Sequence, residues 1–291
     1  MSLTRRSLLA ASALVPFAGS VFGAEDAKKV LVVVGPTNHP PGTHEVAAGG
    51  RLLAWCLGQA GLQAEVITEW PQERPAGISS IVMIGDLFPG EQMNGRDRIM
   101  ADLAALMDRG TGLVCIHYAT GLEAKHVSKT GEHPLLKWIG GYFATRCDHH
   151  KSVAKVFAKA TVEPTKGDHP CLRGWTAFDF HDEPYIENYF GPNGQPKSVA
   201  TIATAMLPPE QPKSQTIAWA TTRPDGGRGA GIVFPHFYRN WKLDSMRTLI
   251  LNACVWSTGT DIPAGGIQVK LPNLTDFKPA SVEPAPKKSP R

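Results

Sequence analysis

Gly112-Leu113-Val114-Cys115-Ile116-His117-Tyr118-Ala119 is the stretch whose reading decides the fold. An uncharged apolar run leaves a glycine-rich turn, Gly110-Thr111-Gly112, and stops at a histidine. Such a run, short and introduced by turn residues, reads as a strand buried on both faces, as in a parallel sheet. Open α/β sheets bind their ligands beyond the carboxyl ends of these strands. His117 stands at that end. The candidates for chemistry are therefore the other polar groups that can reach the same edge.

Towards the N-terminus, Lys29-Val30-Leu31-Val32-Val33-Val34-Gly35 is a first buried strand, and its exit loop, 36–45, carries His39 and His44. Leu52, Leu53, Cys56, Leu57 and Ala60 recur on one helical face that closes at Gly61. Residues 64–68 and 80–85 are two more strands, and Ile99, Leu103, Leu106 and Met107 mark a second helix. This alternation predicts right-handed βαβ units and an α/β fold with a mainly parallel sheet flanked by helices.

Towards the C-terminus the rhythm breaks. A short helical patch is expected at 134–139, then β-type runs at 153–158, 185–189, 198–205 and 216–220 separated by Pro/Gly loops, an irregular β-rich extension of the sheet. Gly229-Ala230-Gly231-Ile232-Val233-Phe234 is again a buried strand, and it runs into His236. A last helix carries Leu243, Met246, Ile250 and Ala253 on one face and ends by Gly259. Residues 271–291 are Pro/Lys/Ser-rich without periodicity and are expected to be a disordered tail.

With 42% hydrophobic and 19% charged residues over 291 positions, one large α/β domain at 29–259 is the economical reading. A net charge of +4 without a dense Lys/Arg stripe argues against nucleic acid. Thr4-Arg5-Arg6-Ser7-Leu8-Leu9, with the apolar stretch to Val21 and small residues after it, reads as a signal peptide over 1–23. The paired arginines point to the twin-arginine route, an ordinary Sec signal being the alternative, and hence to a periplasmic or secreted protein. The apolar core is too short to span a bilayer, so no membrane insertion is expected once the signal is removed. Of five cysteines, Cys56, Cys115 and Cys254 read as small buried hydrophobes, and a disulfide between Cys147 and Cys171 stays open.

Histidine is the informative residue type. His39 and His44 follow the first strand, His117 the fourth and His236 a late one, so in a parallel sheet these loops open on one edge. His149, His150 and the run Asp179-Phe180-His181-Asp182-Glu183 could reach it from the irregular half. Imidazole and carboxylate are the usual ligands of zinc and related divalent ions, and without a metal they serve as acid and base. The plainer readings are a His117 bonded to backbone, His39 and His44 in solvent, and Asp182 and Glu183 bracing a loop before Pro184. His133-Pro134 and His169-Pro170 read as helix starts. No nucleotide-binding glycine motif and no G-x-S-x-G elbow is present, which argues against a nucleotide cofactor and a serine hydrolase. The late aromatics, Tyr238 and Trp241 among them, suit a wall for sugar faces.

Taken together, these pieces resemble the trehalose-utilisation (ThuA-like) family of the class I glutamine-amidotransferase-like, flavodoxin-like fold. The resemblance is carried by 30–35 with Gly35-Pro36-Thr37-Asn38-His39-Pro40-Pro41-Gly42-Thr43-His44-Glu45, by 112–119, by Asp182-Glu183-Pro184-Tyr185, and by 227–238 to Trp256. It implies carbohydrate metabolism, with a disaccharide or keto-sugar as substrate. Where amidotransferases of this fold carry their nucleophilic cysteine, His117 stands here, and Cys115 lies inside the strand. Pro235 stands before His236 where glycine is common in the family. The expectation is an exported protein acting on a sugar or keto-sugar, with His117, Glu183 and His236 catalytic and a divalent zinc, manganese or iron held by His44, His117 and His236. His39, His181, Tyr118, Tyr238 and Trp241 are the expected substrate contacts. The alternatives are a non-catalytic sugar-binding module and, further off, a cysteine-dependent amidotransferase or peptidase relative.

Overall fold

The structure is a computed structural model that describes residues 27–90, 93 and 95–286; the expected signal peptide lies outside this range. In chain order the strands are β1 (Lys29–Val34), β2 (Gln63–Ile67), β3 (Ser80–Ile84), β4 (Gly112–Ile116), β5 (Gly121–Glu123), β6 (Phe143–Thr145), β7 (Phe157–Pro164), β8 (Phe178–Asp182), β9 (Val199–Leu207), β10 (Lys213–Thr222) and β11 (Arg228–Ile232). The α-helices are α1 (Val46–Gln59), α2 (Arg96–Met107), α3 (Pro134–Ile139) and α4 (Asp244–Ser257). Nine strands form one sheet in the order β2-β1-β3-β4-β11-β10-β9-β7-β8.

The first five strands of that order are parallel. Numbered by their succession along the chain they run 2-1-3-4-5, the flavodoxin-like winding, and β10, β9, β7 and β8 extend the sheet antiparallel. All five residues of β4 are buried, as expected of a strand covered on both faces. Among the described residues no helix is long and apolar enough to cross a membrane.

The deciding stretch thus sits at the centre of the sheet, between β3 and β11. At its entry Arg223 is buried and donates to the carbonyls of Met107 and Thr111, tying the turn before β4 to the β10–β11 hairpin. His133 and His169 start helical turns as their proline neighbours imply, each ring Nδ1 accepting from the backbone N–H two residues on.

Two expectations are corrected and one open point is closed. Residues 185–189 form no strand: Ile186 and Tyr189 make isolated bridges, and the strand lies earlier, at β8, where Phe180 and Asp182 face inward. The tail is not disordered over 271–286. Phe277 is buried, Arg51 of α1 donates to its carbonyl oxygen, and Glu45 accepts from the backbone N–H groups of Ala280 and Ser281. Cys147 and Cys171 are both buried, and all five cysteines are free.

Candidate metal and catalytic site

The site is built where β1 and β3 leave the sheet. Gly35 and Gly85 follow these strands, and a Cβ on Gly85 would stand 2.7 Å from Gly35 Cα. Two glycines therefore let the two exit loops touch. Asp86, next in the chain, reaches the loop after β1 and accepts from His44 Nδ1 at 2.6 Å and from His39 Nδ1 at 2.9 Å. Burial raises the Asp86 carboxyl, and the two imidazole hydrogen bonds outweigh it, so the group stays well below the usual carboxylate range.

His117 is the first residue beyond β4 and takes a left-handed backbone, φ +51°. This turns its ring back over the strand end, where Nδ1 donates to the Val233 carbonyl at 3.0 Å. Backbone anchoring and site membership, read from the sequence as alternatives, hold together. His236 follows β11 and the Phe234–Pro235 cis peptide. Its N–H donates to Asp182 Oδ1 at 2.7 Å, and the same carboxylate accepts from the Glu183 N–H and from Asn240 Nδ2. Asp182 is the brace that joins β8 to the His236 loop. Burial pushes its carboxyl up to about 6 against those three bonds.

Three ring nitrogens converge. His44 Nε2 lies 2.9 Å from His117 Nε2 and 2.9 Å from His236 Nδ1, and the remaining side of the triangle is 3.2 Å. Glu183 Oε2 lies 3.3 Å from His236 Nδ1. A carboxylate and a carbonyl can only accept, so the protons of neutral His44 and His117 are both on Nδ1. Their Nε2 atoms are then two unprotonated lone pairs 2.9 Å apart, with His236 Nδ1 and the Tyr185 hydroxyl as the donors within reach. A proton between them is disfavoured. Burial lowers all three imidazoles, and the neighbouring histidines lower them further: His44 below its usual value, His117 well below, and His236 to about 3.

A divalent ion fits the arrangement better. Metal–nitrogen bonds of about 2.0–2.1 Å put tetrahedral ligands about 3.3–3.4 Å apart, a little wider than the triangle observed. His44, His117, Glu183 and His236 offer one ligand atom each within 4.8 Å of one another, and Asp86 and the Val233 carbonyl are the outer partners that fix two ring orientations. Burial, then the neighbouring Asp182 charge, pushes the Glu183 carboxyl up to about 7, which suits a group that exchanges a proton near neutral pH.

The remaining candidates are placed as follows. His39 stacks on His44 with ring centroids 3.5 Å apart and keeps a third of its side chain exposed. Half-buried Tyr118 meets it edge-on at 6.0 Å. Together with Glu183 they form the accessible side of the cluster. Tyr238 and Trp241 are buried on the inner side, where they border a small cavity of about 20 Å³ with His44 and His117, room for about one water. The Tyr238 hydroxyl is committed to the Leu274 carbonyl, so neither ring presents a flat face to solvent. His181 is exposed, with Nδ1 against Arg239 and its ring on Phe237, because strand alternation sends it to the face opposite Asp182. His149 bonds the Tyr142 hydroxyl and His150 the Glu187 carbonyl, and neither joins the cluster. Cys115 is fully buried within β4, where burial pushes its thiol well above the ordinary range.

Sequence reasoning missed Asp86 and the role of Tyr185, while the bracing role of Asp182 is the plainer of its two readings. Asp86 had a signal: it follows a buried parallel strand at the same edge as His117. Tyr185 stands in the quoted stretch 182–185, but its contact with His117 depends on a loop without regular structure.

No family model and no curated protein matches the sequence. Among solved structures, the chain is similar to a protein of Bacteroides uniformis described as ThuA-like, at 18% identity and a TM-score of 0.57, over 86% of this chain and 99% of that one. It is also similar to Agd3, a carbohydrate deacetylase, at 10% identity and a TM-score of 0.50, over 80% of this chain and 32% of that one. A glutamine amidotransferase of Thermotoga maritima aligns at 11% identity and a TM-score of 0.41, over 79% of this chain and 96% of that one. At these identities the first two likenesses are likenesses of fold, and they place the chain with the α/β architecture that its own strand order displays.

Proposed function

We propose that this chain is an exported, ThuA-like, metal-dependent enzyme that acts on a sugar or oxidised sugar. The observation that carries the metal is the pair of unprotonated nitrogens, His44 Nε2 and His117 Nε2, held 2.9 Å apart with each ring's proton committed elsewhere. His44, His117 and His236 would hold zinc, manganese or iron, and Glu183 would complete the set or face the substrate. When bound, the ion supplies a Lewis acid for a carbonyl or acetal oxygen.

The protein's own groups do the rest. Asp86 and the Val233 carbonyl hold two imidazoles in one tautomer and one orientation. Asp182 fixes the His236 backbone and the start of the Glu183 turn. Glu183, partly exposed beside His236, takes a proton from the substrate or from water and returns it in the next step. Hydrolysis and isomerisation of a keto-sugar both need that pairing. The sugar assignment is supported by the fold shared with a protein described as ThuA-like and with a carbohydrate deacetylase, and by His39 and Tyr118 lining the open side.

The test is metal content of the purified mature protein, wild type against His117→Ala, followed by turnover of glycosides and keto-sugars with the metal found. About one equivalent, lost in the variant, is the expected result. Protein without metal, and without metal-dependent turnover, would sink the reading. Stoichiometric metal with sugar binding but no turnover would leave a binding module.

A further inference from the structure

We propose that Tyr185 is a further catalytic residue, whose phenol donates a hydrogen bond to the substrate oxygen that reacts at the three-histidine centre. The inference rests on the metal reading above. Tyr185 stands two residues after Glu183, across Pro184, and is 2% exposed. Its ring is sandwiched: it stacks on Phe143 with centroids 4.0 Å apart and on His117 with centroids 4.5 Å apart, the planes 21° and 24° from parallel. A ring held on both faces cannot swing its hydroxyl elsewhere. Tyr185 Oη therefore stays 3.2 Å from His117 Nε2, its one hydrogen-bond partner among the described residues.

That partner is the lone pair an ion would take. His117 Nε2 cannot serve the phenol and a cation together, because its other nitrogen holds the ring's proton against Val233. With the ion in place, the hydroxyl keeps its position and loses its acceptor. A buried hydroxyl calls for a partner, and the acceptor that can enter there is an oxygen held at the same centre. The hydroxyl is not needed for packing, since phenylalanine would fill the same sandwich. Glu183 and Tyr185 would then divide the work, one moving the proton and the other steadying charge on the oxygen.

The test uses cobalt(II)-loaded wild type and Tyr185→Phe, with acetate as the oxyanion probe and the visible absorption of cobalt as the signal. Cobalt affinity should agree within about threefold between the two, while acetate should bind the variant about tenfold or more weakly, as for loss of a charge-assisted hydrogen bond. Equal acetate affinity, or acetate that fails to bind loaded wild type, would overturn the proposal and leave the metal reading standing. Cobalt affinity falling about tenfold in the variant would overturn it differently, making Tyr185 a positioning residue for His117. Wild type that takes up no cobalt would remove the metal reading, and this inference with it.

Discussion

His44, His117 and His236 each leave a different strand of the parallel half of the sheet, whereas Asp182, Glu183 and Tyr185 come in one stretch from the end of an antiparallel strand. The first three are buried, and the rings of His44 and His117 are held by Asp86 and the Val233 carbonyl. In the second group Glu183 keeps contact with the outside. A parallel edge can bring groups from 192 positions apart to hydrogen-bonding distance, because the strand register fixes where every exit loop begins. An antiparallel connection supplies neighbours in sequence. The division suggests fixed ligands from one half and proton-handling groups from the other.

The comparison breaks most visibly at His117. His117→Ala should weaken metal binding by more than about 100-fold, beyond the loss caused by removing an outer partner, and should abolish activity. Equilibrium dialysis against zinc or manganese checks it; unchanged affinity would dissolve the ligand half of the distinction. Glu183→Gln should keep the metal and lose roughly 10²–10⁴ in kcat, the range of a missing general acid or base. Full turnover in that variant would take Glu183 out of the chemistry. Asp86→Ala frees the His44 ring and should cost about 10–100-fold in metal affinity, measured in the same dialysis.

The two halves also have opposite signatures in pH. In metal-free protein His236 titrates near 3, and His44 and His117 lie below their usual 6.5. The unfolded chain takes up these protons first, so stability is present above about 6.5 and is lost as the pH falls towards 3. Asp182 and Glu183, raised to about 6 and about 7, bind protons first in the folded state. Their contribution is complete below the ordinary carboxylate values and is lost as the pH rises through 6 to 7. The two sets of groups therefore oppose each other on the acid side, and the lowered Asp86 acts with the histidines. Glu183→Gln removes one opposing group and should steepen the slope between about 4.5 and 7 by up to about 1.4 kcal/mol per pH unit. Urea midpoints across a pH series read this directly, and an unchanged slope would contradict the assignment. The smallest effect is expected at Cys115→Ala, which should leave activity within about twofold because the buried thiol touches nothing reactive; a lost reaction would revive thiol chemistry.

Much of the parallel half was legible in the sequence because its signals are local. An apolar run that ends on a histidine carries its own strand and its own edge, and 112–119 held as read. The same rule applied to 80–85 would have delivered Asp86. The antiparallel half was harder to read. Phe178 to Asp182 alternates in burial, yet the sequence alone points to its His181 as a substrate contact and to a strand beginning at Tyr185 instead. Strand placement there depends on pairing with β7, information that is spread over two segments. The tail misled for a related reason: its composition is that of a flexible chain, and its order comes from single anchors such as Phe277, from a donor on α1 and from an acceptor in the loop before it.

Those anchors have a practical consequence. Glu45, one residue after His44, accepts from Gly42 within the ligand loop and from Ala280 and Ser281 near the chain's end, while Arg239, three residues after His236, pairs with Glu283. Residues 280–283 thus contact both histidine-bearing loops. Loss of those contacts would loosen both loops at once, so the tail ties the two histidines to one fate.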